Sequence, residues 1–199
     1  MLELVPRYTA LVAIDLQNWT LGMPLTPHPA AQVTSNSVQL AEAIRSSGGL
    51  VILTRAAFSP GYADMLRRPV DIELKIPPGG IPEQGLAFHP SLDAISQPLI
   101  ITKRQWSAFH GTELDLQLRR REIRNVVVTG IMTNFGVEST ARDAWQSNYA
   151  VVVAEDACSS LGDGAHGFSM ANILPRVARV RSTADIVEAI RMHRRDFEA

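Results

Sequence analysis

The 199-residue sequence contains one cysteine, Cys158, which excludes an intramolecular disulfide. It has no apolar run near the ~20 residues that a membrane-spanning helix needs. Met1-Leu2-Glu3-Leu4 is too short and too acidic to open a secretory signal, so the cytoplasm is the expected compartment. Excess charge of either sign is also missing: 19 Lys and Arg stand against 20 Asp and Glu, for a formal net charge of −1. Without a basic field, neither nucleic acid nor an anionic membrane is expected as a partner. Internal repeats and low-complexity tracts are absent. The chain is 46% hydrophobic and 20% charged, which is ordinary for a globular protein with a sizeable core. Its length and lack of a compositional seam predict one domain over residues 1–199.

Short runs rich in Val, Ile and Leu recur at 10–14, 50–53, 99–101, 126–128, 150–153 and, more weakly, 177–180. Such runs read as strands buried on both faces. Helical spacing appears between them. Val33, Leu40, Ala41 and Ile44 share a face over 29–47, where Gly48-Gly49 supplies the stop. Further helices are expected over 112–121, 136–147, 164–174 and 183–193. This alternation predicts an α/β fold, a mostly parallel sheet with helices on both faces. In such sheets ligands bind beyond the carboxyl ends of the strands. Residues 59–98 break the rhythm with seven prolines and Gly79-Gly80. That segment reads equally as an excursion over the site or at a subunit contact, and as plain surface loop.

Asp15 ends the first strand and Lys103 follows the third. Taken singly, each also reads as a turn-former or an exposed strand end. In a parallel sheet, however, both lie at one edge, where a carboxylate and an ammonium can share a proton. The third candidate is the strand–turn–helix run Thr129-Gly130-Ile131-Met132-Thr133-Asn134-Phe135-Gly136. Free N–H groups at such a turn can hold an oxyanion or carboxylate, and Gly136 permits close approach, although a glycine there also has ordinary backbone reasons. Arg55 is a candidate for a substrate carboxylate and Trp106 for the pocket wall; each reads equally as exposed loop or ordinary packing. His89 and His110 stand isolated and read as structural or interface residues.

Three stretches together resemble the isochorismatase-like, or cysteine hydrolase, family. They are Asp15 before Leu16-Gln17-Asn18, Lys103 ahead of Trp106-Ser107-Ala108-Phe109, and Gly130-Ile131 leading through Thr133-Asn134 to Val137-Glu138-Ser139-Thr140-Ala141-Arg142-Asp143-Ala144. Ala154-Glu155-Asp156-Ala157-Cys158 adds to the likeness. The resemblance implies a three-layer αβα, Rossmann-like sandwich with a six-stranded parallel sheet. It also implies a site of aspartate, lysine and a nucleophilic cysteine, and a homodimer or homotetramer. Asp15 and Lys103 match the first two site positions, and the nucleophile position falls on Gly136, which has no thiol. The family further implies a non-proline cis peptide between Ile131 and Met132.

Cys158 sits on another loop and reads as a small buried hydrophobe. Ser139 and Thr140 lack a neighbouring base and read as packing residues or as bonding back to their helix. Covalent acyl chemistry is therefore not expected. The resemblance leaves open vinyl-ether hydrolysis of the isochorismate type, with Asp15 as acid, Lys103 as its partner, and Met132, Thr133, Asn134 and Gly136 around the substrate. The alternative is a small-molecule-binding or oligomeric scaffold member without activity. Zinc-binding relatives carry an Asp and paired histidines after the second strand. Thr54-Arg55-Ala56-Ala57-Phe58-Ser59 has neither, so no metal or cofactor is expected.

Overall fold

A computed structural model describes residues 2–198. Its strands are β1 (Thr9–Ile14), β2 (Leu25–Thr26), β3 (Leu50–Ala56), β4 (Leu99–Lys103), β5 (Asn125–Ile131), β6 (Ala150–Leu161) and β7 (Arg179–Arg181). Its α-helices are α1 (Asn18–Leu21), α2 (Ala30–Ser46), α3 (Glu83–Leu86), α4 (Leu114–Arg120), α5 (Glu138–Gln146), α6 (Ala165–Phe168) and α7 (Thr183–Glu198).

β1 is buried at all six positions because it lies mid-sheet, between β3 and β5. Successive side chains leave a strand on opposite faces. Leu11 and Ala13 therefore join a core with Leu40 and Ile44 of α2 and Ile186 and Ile190 of α7. Ala10, Val12 and Ile14 join the other core, with Leu114 and Leu118 of α4 and Ala141 and Ala144 of α5. Two apolar faces on one sheet require two helical layers, which makes the fold an αβα sandwich.

The parallel strands run β4-β3-β1-β5-β6-β7. The chain builds outward from β1 through β3 to β4, returns to β5 on the other flank of β1, and builds outward again. The strand order thus reverses between β1 and β5, and the crevice beyond their carboxyl ends is where such sheets bind ligands. The sheet has a seventh member that the sequence pattern does not show. β2 is short, antiparallel and paired with the far end of β6. The last parallel strand is also displaced from 177–180 to Arg179–Arg181. The helix expected from residue 136 begins with a π-turn, Thr133–Val137, before α5. The helix expected over 164–174 is split into α6, a second π-turn (Ser169–Ile173) and a 3-10 turn. Among the described residues, no helix is long and apolar enough to cross a membrane.

The proline-rich excursion does reach the ligand edge. Asn18 N donates to Ala87 O at 3.0 Å, His89 N to Leu16 O at 3.0 Å, and Asn18 Nδ2 to Gln84 O at 2.8 Å. The buried Gln17 amide joins the same seam. It donates to Leu86 O at 2.7 Å and Ala56 O at 3.1 Å and accepts from Ala56 N at 2.8 Å. Residues 84–89 therefore lie against the β1 exit, whereas Leu66, Val70, Ile72 and Leu74 stand exposed.

Candidate functional site

β1 ends abruptly. Asp15 takes a left-handed backbone (φ 50°), its N–H donates to Thr54 O at 3.2 Å, and its carbonyl accepts Thr20 Oγ1 at 2.6 Å. Aspartate tolerates this conformation better than most residues. The turn sends its carboxyl across the ends of β3 and β4. Lys103 Nζ donates to Asp15 Oδ2 at 2.6 Å and to Gln105 O at 3.1 Å. Thr54 Oγ1 lies 3.4 Å from Asp15 Oδ1. The whole residues are 7% and 2% exposed, so the pair is nearly dry. Burial pushes the Asp15 carboxyl above the usual carboxylate range; Lys103 and Thr54 oppose this without cancelling it. A carboxyl set this way can hold a proton and deliver it.

Across the crevice, β5 ends at Gly130 and Ile131, and a cis peptide joins Ile131 to Met132. Gly130 is required by contact as well as conformation. Its φ is 111°, and a Cβ there would lie 2.1 Å from Ile14 O. Gly136 is buried in the π-turn. A Cβ at that position would meet Ile14 Cγ2 at 2.8 Å, with Ile131 O and Trp106 O at 3.4 and 3.5 Å. Ile14 thus fills the space into which a side chain at 136 would grow. The loop after Lys103 forms the opposite wall. Trp106, 59% exposed, packs on Phe135 with ring centroids 4.8 Å apart. Ser107 Oγ donates to Asp143 Oδ2 at 2.5 Å and Ala108 N donates to Thr140 Oγ1 at 3.0 Å, which clamps the loop to α5.

The structure brings together Asp15, Lys103, the Met132–Gly136 turn and Trp106. Arg55 does not join them. Its guanidinium binds Thr102 Oγ1 at 3.1 Å, and strand alternation puts both side chains on the face opposite Thr54 and Lys103. Thr133 is in the turn, but its side chain is fully buried and its Oγ1 is 2.9 Å from His166 Nδ1. Asn134 Oδ1 accepts from Ser160 Oγ. Cys158, expected on a loop, lies within β6 and is fully buried in the core, where burial drives its thiol far above the range of a reactive thiol. Thr140 bonds the Ala108 backbone rather than its own helix. His89 caps a 3-10 turn, accepting from Ser91 N at 3.2 Å, and His110 is exposed.

Two contributors had no assigned role in the sequence pattern. Thr54 supports the Asp15 carboxyl, and Gln17 joins the β3 end to the excursion. Gln17 stood beside Asp15 in the motif, but its partners lie 39 and 69 residues away. Among the described residues, the cluster of His, Cys, Asp or Glu side chains close enough to share an ion is His28, Glu155 and His166, which excludes Asp15.

The doubly wound sheet carries a nearly dry carboxyl–ammonium pair at the strand ends, where folds of this kind bind small ligands. Comparison with known proteins makes the assignment specific. The isochorismatase domain matches residues 9–185, and the chain belongs to the isochorismatase family of hydrolases. It is 46% identical over 190 residues to the isochorismatase family protein YecD of Escherichia coli O157:H7, covering 96% of this chain and all of that one. It is 31% identical to the ureidoacrylate amidohydrolase RutB of Caulobacter vibrioides, covering 90% of each. An isochorismatase family protein from Burkholderia thailandensis superimposes with a TM-score of 0.89 at 40% identity, covering 95% of this chain and 98% of that one.

Proposed function

We propose that this protein hydrolyses a small molecule by proton transfer from Asp15, without a covalent intermediate. The supporting observation is the pairing of a buried Asp15, its pKa raised by burial, with Lys103 at the same crevice as Gly136, which has no nucleophilic atom. Gly136 is read as occupying the position of the family's cysteine. Cys158 is no substitute, being locked in the core on another strand. Chemistry that needs an acid but no nucleophile suits a vinyl ether of the isochorismate type. Asp15 would give its proton to the terminal vinyl carbon. The electron-poor ether carbon then adds water, and the resulting hemiketal collapses to pyruvate and an alcohol. Lys103 holds the carboxyl in place and stabilises the carboxylate left after transfer. Backbone N–H groups of Met132 and Gly136 would hold a substrate oxygen, and Trp106 would cover the mouth.

We also propose that the working unit is a homo-oligomer, on the strength of the exposed apolar side chains at 66, 70, 72 and 74.

Incubation with isochorismate, with pyruvate read by coupled NADH oxidation, tests the chemistry. Wild type should release pyruvate steadily, and Asp15→Asn should lose at least about 100-fold, the span of a general acid. An Asp15→Asn protein as fast as wild type would remove the acid role. A wild type that binds isochorismate without turnover would favour the reading as a binding protein, which Gly136 alone also permits.

A further inference from the structure

A second cluster lies behind the turn that carries Gly136, and the catalytic proposal does not use it. β6 is irregular where it passes β5. Val128 pairs with Val153 and Gly130 with Cys158, so a step of two residues on β5 is matched by five on β6. The extra residues form a bulge that includes Glu155. On the other edge of β6, β7 pairs with residues 152–154 and β2 with 160–161. The bulge therefore sits in a gap between two edge strands. His28, from the loop between β2 and α2, and His166, from α6, reach this gap. Both place Nε2 3.0 Å from Glu155 Oε1.

We propose that His28, Glu155 and His166 form a binding site for a divalent transition-metal ion, best suited to Zn2+. Two imidazoles and one carboxylate are a recurrent donor set for this ion, with a fourth position left to water. The three donor atoms lie within 4.8 Å of one another. Zinc holds such donors at about 2.0–2.2 Å, which puts them about 3.3 Å apart in a tetrahedron, so small side-chain adjustments suffice. Burial is graded appropriately. The side chains of His166 and His28 are 5% and 19% exposed, and Glu155 is 39% exposed, leaving a path for the ion and a water.

The outer partners fit the same reading. A metal-bound Nε2 requires the proton on Nδ1, and ligating histidines normally donate that proton to a neighbour. His166 Nδ1 faces Thr133 Oγ1 at 2.9 Å, a hydroxyl able to accept. His28 Nδ1 faces the Gln32 amide at 3.1 Å, and that amide accepts once it is turned over. Both second partners can thus serve either the empty hydrogen-bonded state or the metal-bound one. A bound ion would tie three separate segments together and, through Thr133, brace the turn bearing Gly136.

The test is titration of chelator-stripped protein with Zn2+ by calorimetry, and with Co2+ by visible absorption. Wild type should bind one ion per chain with micromolar or tighter affinity, and Co2+ should give the intense bands of a low-coordinate site. His28→Gln and Glu155→Gln should each weaken binding about 100-fold or more, and Thr133→Val about 10-fold, the usual effect of an outer partner. Zn2+ should raise the melting temperature of wild type and not of His28→Gln. His28 lies in a loop, so this variant remains informative if a change at buried His166 unfolds the chain. Absence of binding in wild type, or binding unchanged in His28→Gln and Glu155→Gln, would overturn the site. None of these readouts involves catalysis, so the result stands apart from the role of Asp15.

Discussion

Replacing Lys103 with methionine keeps the length of the side chain and removes its charge. Asp15 then keeps only a long contact from Thr54, at 3.4 Å, among its side-chain partners. Removing one member of a buried ion pair costs about 3–5 kcal/mol when the other charge stays ionised. Asp15 can avoid much of that cost by taking a proton. Burial already raises its pKa, and Lys103 is the foremost group opposing the rise. Without Lys103 the carboxyl moves further up. A carboxyl with a raised folded-state pKa keeps its proton in the native chain after the unfolded chain has released it. Stability is then greatest below the unfolded value of about 3.9 and is lost as pH rises towards the folded value, by up to about 1.4 kcal/mol per unit. As pH rises from 5 to 7, Lys103→Met should therefore lose stability relative to Lys103→Met/Asp15→Asn, which has no titrating carboxyl there, at no more than about 1.4 kcal/mol per unit. Urea unfolding at pH 5, 6 and 7, followed by far-UV circular dichroism with matched m-values, measures this difference. Parallel stability curves for the two variants would refute the claim that burial governs Asp15.

Three further outcomes are expected. Gly130→Ala should cost about 3 kcal/mol or more, because its Cβ would strike a carbonyl oxygen at a positive φ; a melting temperature near that of wild type would count against the close approach of β1 and β5. Gly136→Cys should cost about 1–3 kcal/mol by overpacking against Ile14 Cγ2, and a double-mutant cycle with Ile14→Ala should show coupling of about 1 kcal/mol; simple additivity would mean that the two positions do not compete for space. Ile72→Glu combined with Leu74→Glu should shift sedimentation towards the monomer at micromolar concentration; a wild-type monomer would remove the oligomer proposal.

The layers were legible because burial on both faces leaves unbroken apolar runs, as in 10–14 and 126–128. β2 was not, since two residues paired only at one end of β6 leave no periodic trace. The π-turn at Thr133–Val137 was hidden for a related reason: its apolar spacing continues into α5, and only the backbone shows the wider turn. Asp15 and Lys103 could be paired from sequence because a parallel sheet brings strand exits to one edge. Arg55 also ends a strand but does not join the pair, since successive residues along a strand face opposite ways. His28 and His166 carried no signal, and Glu155 stood out only as part of the stretch 154–158. They lie 127 and 11 residues apart, and a bulge with no sequence signature brings them together.

Hydrolysis of isochorismate in D2O tests the role of Asp15 most directly. Proton delivery to the vinyl carbon places one solvent-derived hydrogen in the methyl group of the product. Wild type should release pyruvate carrying a single deuterium in its methyl group, at a rate that Asp15→Asn does not approach. Pyruvate with an undeuterated methyl group at early times, or equal rates for the two proteins, would contradict protonation by Asp15.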